Sequence, residues 1–180
     1  MAYYYSPFRK QYEGAPRPKD FCVFCDEGNI LRQTVRDAHG NPVENEHYRW
    51  IVNFFPTMEG HTMVVPKAHV IGFRGESKDS LADRQSLLAY AYDRFIELYP
   101  GAGVEVFHQT GIGSISSVPH IHWHIVPARP DDPLRAFQKL GHFFVTEEGE
   151  ETILRFPHKI QYAREELLAA LAPLVTAVPW

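Results

Sequence analysis

The stretch His120-Ile121-His122-Trp123-His124-Ile125-Val126-Pro127 alternates imidazole and apolar side chains over its first six residues. In an extended chain successive side chains point to opposite faces, so His120, His122 and His124 share one face while Ile121, Trp123 and Ile125 share the other. The apolar face belongs on a core and the imidazoles toward a cleft. Neighbours on one face stand roughly 6–7 Å apart, close enough to work on one ligand. Burying three imidazoles with nothing to bond would cost on the order of 1–3 kcal/mol per unsatisfied group, so the pattern calls for a metal, a phosphate or another ligand.

Outward from this strand, the pattern predicts an antiparallel sheet. Residues 104–107 read as a strand, separated from 121–126 by the small, polar segment 110–117. Upstream, Ser80 is positioned to cap a helix running to about Tyr99, with Leu88, Ala91, Phe95 and Leu98 as its apolar stripe and Pro100-Gly101 as its stop. Thr62-Met63-Val64-Val65-Pro66 reads as a buried strand, and residues 30–35 and 47–54 as a hairpin around the turn-rich segment 37–42. Beyond Arg129 the pattern weakens to a second hairpin, 143–145 with 153–156, and a terminal helix over about 163–175. The order β-β-β-α-β-β specifies an α+β fold, an antiparallel sheet with a helix on one face.

The chain of 180 residues carries 18 Lys+Arg against 22 Asp+Glu, a formal charge of −4, and 44% hydrophobic residues. That length and apolar content suit one domain with a core, divided here into an N-terminal arm (1–21), a catalytic domain (22–129) and a C-terminal extension (130–180) packed on it. Mild acidity argues against coating a nucleic acid polymer or an anionic membrane. With no apolar run of membrane-spanning length and no secretory pattern at the start, the expected location is cytoplasmic.

The only two cysteines, Cys22 and Cys25, form a Cys-x2-Cys pair, readable as a redox motif or as half of a metal site that histidines complete. The His-x-His strand itself allows two chemistries. Its imidazoles could hold a catalytic metal with an activated water, or one could attack phosphorus while its neighbours bind the phosphate oxygens. Lys67 and Arg129, at strand ends, read as solvated cations, His108 as a residue beside the cleft or outside it, and Gly111-Ile112-Gly113 as a tight turn.

Three segments together carry a resemblance: Asn53-Phe54-Phe55-Pro56, then Gly60-His61-Thr62-Met63-Val64-Val65-Pro66-Lys67-Ala68-His69, then the histidine strand. In this order and spacing, over about residues 22–129, the chain resembles the histidine triad (HIT) superfamily of nucleotide hydrolases and transferases. The resemblance implies a sheet of about five strands crossed by one long helix, commonly paired into a homodimer. It implies a nucleotide substrate and places His122 as the nucleophile, attacking the α-phosphorus to form a nucleotidyl-histidine. His124 is then the neighbour that assists the leaving group, His61 the fourth histidine beside the triad, and Asn53 and Ser117 substrate-binding residues. In relatives with the Cys-x2-Cys knuckle the resemblance implies a structural Zn2+, here on Cys22, Cys25, His69 and His120. Where many relatives carry Gly-Gln-Ser or Gly-Gln-Thr before the triad, this chain has Ile115-Ser116-Ser117. The alternatives are a hydrolase with a catalytic metal on His120 and His122, with or without His124, and a nucleotide-binding protein without turnover.

Overall fold

The structure is a computed structural model that describes residues 3–5, 18, 21–56, 58–108, 118–130 and 159–161. In chain order its elements are β1 (Tyr3–Tyr5), α1 (Glu27–Gln33), β2 (Tyr48–Val52), β3 (Thr62–Pro66), α2 (Lys78–Leu98), β4 (Gly103–His108), β5 (Trp123–Ala128) and β6 (Lys159–Gln161). The main sheet has four strands in the order β2-β3-β5-β4, antiparallel throughout. β1 and β6 form a separate parallel pair, Tyr3 to Tyr5 against Lys159 to Gln161.

The α+β reading holds, with α2 across one face of the sheet. Leu87, Ala91 and Phe95 of α2 pack on Trp50 and Val52 of β2, Val64 of β3, and Trp123 and Ile125 of β5, with Ile121. Fully burying one such large apolar side chain contributes about 1.5–3 kcal/mol, so this layer is the main store of stability. Because strand residues alternate, the opposite face carries Ile51, Met63 and Val65, covered by Cys22, Phe24 and Ile30. Met63 pairs with His124 across the ladder, which puts the histidine side chain on this second face.

Several sequence expectations shift. Residues 30–35 do not form a strand: Asp26 caps a short helix by accepting the Asn29 N–H at 2.8 Å, and α1 buries Ile30 and Gln33. What remains of the expected hairpin is a set of single bridges, Thr34 to Ile51, Arg36 to Pro42 and Glu44 to Arg49. The turn at its tip is held by the Asp37 carboxylate, which accepts the N–H groups of His39 and Asn41, each at 2.8 Å. Helix α2 starts one turn earlier than Ser80, because Ser77 is the cap and takes the Ser80 N–H on its hydroxyl at 3.1 Å. Strand β5 begins at Trp123 and not at 121. Pro119 has no N–H to give, and the next two amides are spent on Val118 (2.8 Å) and on Val70 in the neighbouring loop (2.7 Å). The second hairpin at 143–156 and the helix at 163–175 lie outside the described residues.

Gly60 precedes β3 with φ +80°, and a Cβ there would meet the Tyr99 hydroxyl at 3.0 Å, Pro127 Cγ at 3.1 Å and Phe95 Cε1 at 3.2 Å. Both backbone and space therefore demand glycine. Gly60→Ala is expected to lower unfolding free energy by about 2 kcal/mol or more, measurable as a reduced urea midpoint. A second expectation concerns the join between the β2 entry and α2, where His47 Nδ1 donates to Asp83 Oδ2 at 2.6 Å. The Asp83 bond raises the histidine's pKa above its ordinary value. The stabilisation is thus full below the unfolded value and lost as pH rises through the raised one. The denaturation midpoint should fall over that range in wild type, and Asp83→Asn should weaken this dependence, Glu46 and Asp79 still favouring the charged ring.

Candidate active site and metal-ligating group

Two constellations flank the start of β5. The first gathers Cys22, Cys25, His69 and His120, whose ligand atoms all lie within 4.8 Å of one another. The knuckle closes because the amides of Cys25 and Asp26 both reach the Cys22 carbonyl, at 3.1 and 3.0 Å. His120 Nδ1 stands 3.3 Å from Cys22 Sγ and 3.5 Å from Cys25 Sγ, and His69 Nδ1 stands 3.3 Å from Cys25 Sγ. A tetrahedral ion with bonds of about 2.0–2.3 Å needs donors spaced at about 3.3–3.8 Å; these three spacings match, and the remaining pairs, within 4.8 Å, would draw in around an ion.

The tautomer fits too. His120 Nε2 lies 3.0 Å from the Pro66 carbonyl, an acceptor, so the ring proton sits on Nε2 and the Nδ1 lone pair faces the thiols. Burial, the largest cause, pushes the His120 pKa down to about 4 and keeps the ring in the neutral form a metal takes. The Cys25 thiol is pushed up to about 11, first by desolvation and then by Cys22 beside it. A bound cation would reverse that, since its charge favours the thiolate.

The second constellation holds His122, His124, His61 and Asn53, all buried. His122 Nδ1 donates to the His120 carbonyl at 2.7 Å. Its other nitrogen, Nε2, is therefore the one with a lone pair, as nucleophilic attack requires. Burial lowers the His122 pKa below the usual histidine value, against the opposing effect of the backbone bond. The rings of His122 and His124 are 4.8 Å apart, and His124 Nδ1 meets His61 Nε2 at 2.8 Å. Asn53 Nδ2 reaches the same His61 nitrogen at 3.2 Å, and its Oδ1 takes the Phe55 N–H at 2.9 Å.

The expected alternation is thus present, but the three imidazoles do different things. His120 turns toward the cysteines, and His122 and His124 face each other. Ser117, with Ile115, Ser116 and the glycines at 111 and 113, lies outside the described residues. Lys67 is not a free cation, being paired with Glu44 at 2.8 Å. His108 packs against Phe73 and Trp123, opposite Trp123 in the ladder, and so belongs to the helix side. A separate cleft of about 360 Å³, with Tyr48, Phe73 and Trp123 in its lining, contains none of His61, His120, His122 and His124.

Sequence reasoning missed two aromatic neighbours. Phe24 meets His122 and His120 edge-on at 5.1 and 5.7 Å, and Phe107 stacks on His124 at 4.8 Å. Phe24 sits between the two cysteines, which was a signal. Phe107 needed the β4–β5 register, which no local pattern supplies.

Comparison with known proteins agrees with this fold. Residues 42–131 match the HIT domain family. A HIT-like protein of Mycoplasma genitalium is 34% identical over 110 residues, covering 59% of this chain and 72% of that protein. The asymmetrical bis(5'-nucleosyl)-tetraphosphatase of Schizosaccharomyces pombe is 25% identical over 81 residues, 45% of this chain and 44% of that enzyme. Among solved structures, a hypothetical histidine triad nucleotide-binding protein of Sulfolobus tokodaii superposes with a TM-score of 0.52 at 20% identity, over 88% of this chain and 99% of its own. The chain belongs to the HIT family. Among the described residues, no helix is long and apolar enough to cross a membrane.

Protein purified without chelator is expected to carry one divalent ion per chain by elemental analysis. Cys25→Ser and His69→Ala should each lower that content well below one, and Asn53→Ala should leave it unchanged.

Proposed function

We propose that the protein is a nucleotide hydrolase or nucleotidyltransferase, cleaving at the α-phosphate of a nucleotide ester, phosphoramidate or anhydride such as a dinucleoside polyphosphate. The observation that carries this reading is the 2.7 Å bond from His122 Nδ1 to the His120 carbonyl, which reserves the Nε2 lone pair for phosphorus. The tetraphosphatase relative and the nucleotide-binding structural neighbour support a nucleotide as the substrate class.

In this mechanism His122 Nε2 attacks the α-phosphorus, the N–P bond forms, and the bond to the leaving group breaks. His124, 4.8 Å away ring to ring, takes up a proton from solvent on Nε2 as the anionic substrate binds, its Nδ1–H staying on His61, and hands that Nε2 proton to the departing atom. The positive charge that develops on His122 strengthens its donation to the His120 carbonyl. Water then attacks phosphorus, its proton passes to His124, and the N–P bond breaks to release the nucleotide. In transfer, a second nucleophile takes the place of water. His61 stands behind His124, and Asn53 and Ser117 are assigned to substrate binding on the family pattern.

Zinc is the ion proposed for Cys22, Cys25, His69 and His120, where it would tie the knuckle to the lead-in of β5. The turn of His120 toward the thiols supports this reading over a catalytic metal held by the histidine strand.

The test is an intact-mass time course after mixing protein with a dinucleoside polyphosphate or, separately, an adenosine phosphoramidate. A transient nucleotidyl adduct should appear in wild type and vanish in His122→Ala, with turnover reduced by about 10³-fold or more. Nucleotide binding that survives His122→Ala, with no adduct and no turnover in wild type, would instead assign a binding protein.

A further inference from the structure

The amide of Asn53 is oriented by a group outside the site. The Phe55 N–H reaches one end of that amide at 2.9 Å, and a donor there requires the oxygen. The other end, the nitrogen, therefore faces His61 Nε2 at 3.2 Å. An N–H aimed at a ring nitrogen needs a lone pair, so His61 Nε2 carries no proton. His124 Nδ1 lies 2.8 Å from that same lone pair and must be a donor. Asn53 is 9% exposed, His124 5% and His61 1%, so solvent offers little relief to a mismatched pair.

We infer that Asn53 is a positioning residue that, through His61, holds a proton on His124 Nδ1 and so makes Nε2 the working nitrogen of His124. The tautomer assignment rests on these three hydrogen bonds; its consequence for turnover rests on the role proposed for His124. Asn53 thus does more than the substrate contact expected of it, because its oxygen and one N–H are committed within the protein.

Asn53→Asp is the informative change, since it replaces the NH2 by an oxygen of similar size. A carboxylate can only accept, so the oxygen facing His61 would demand a proton on Nε2. His61 could then no longer accept from His124, and the donor and acceptor roles would reverse along the chain.

The experiment is a long-range 1H–15N correlation spectrum of histidine-labelled, metal-loaded full-length protein, with His61 and His124 assigned by single substitution. Wild type should show both rings protonated at Nδ1. N53D should move the His61 proton to Nε2 and take it from His124 Nδ1, while N53A, the variant without a buried charge, should show both tautomers. Where turnover is measured, N53D should lower kcat by about 10²-fold with KM nearly unchanged. An Nε2–H tautomer at His61 in wild type, or tautomers unmoved in both variants, would overturn the inference. A rise in KM alone with tautomers unmoved would return Asn53 to substrate binding. Should wild type turn over no nucleotide while the tautomers behave as stated, the proposed function fails and the wiring of Asn53 stands.

Discussion

The site depends on how His120 is held. Its side chain is fixed at both ring nitrogens, one donating to the Pro66 carbonyl and the other facing the two thiols. Its main-chain carbonyl is thereby placed to receive the His122 proton. A residue of the candidate metal-ligating group therefore sets the tautomer of the candidate nucleophile two residues on. An ion held there would supply the charge that reconciles the crowded thiols and imidazoles and would add to the anchoring of that carbonyl.

The sheet makes this arrangement stiff. On one face α2 seals Trp50, Val64, Trp123 and Ile125 into an apolar layer. On the other, the knuckle brings Phe24 over His120 and His122. The strand carrying the histidines is thus clamped between an apolar layer and the cysteine segment. Burial then keeps the His120 and His122 rings neutral, and hydrogen bonds decide which nitrogen of each is bare.

Much of this was legible in the sequence because it is periodic. The run 62–66 became β3 with the expected bounds, and Pro100-Gly101 follows the end of α2 as expected. The alternation of His120, His122 and His124 against Ile121, Trp123 and Ile125 gave the right faces. What failed was decided by tertiary context. Residues 30–33 are helical because Asp26 caps them and Ile30 finds a core position; the β-branched Ile30, Thr34 and Val35 that favoured a strand lie at the two ends of the segment, with Leu31, Arg32 and Gln33 between them. The Ser77 cap lost to Ser80 in the reading because either serine satisfies the local rule. The four-residue group followed from family resemblance, since residues so far apart in the chain carry no local signal of contact. Phe107 on His124, the Pro66 carbonyl and the reach of Asn53 to His61 depend on register and backbone direction, which a one-dimensional pattern does not encode.

The central claim is that His122 offers a bare Nε2 because His120 holds its Nδ1 proton. The most direct test is the 15N spectrum of the His122 ring in metal-loaded wild-type protein near neutral pH. A proton on Nδ1, with Nε2 showing the shift of an unprotonated nitrogen, is the result the account predicts. A proton resident on Nε2 would contradict it, because the nitrogen assigned to attack phosphorus would have no lone pair to use.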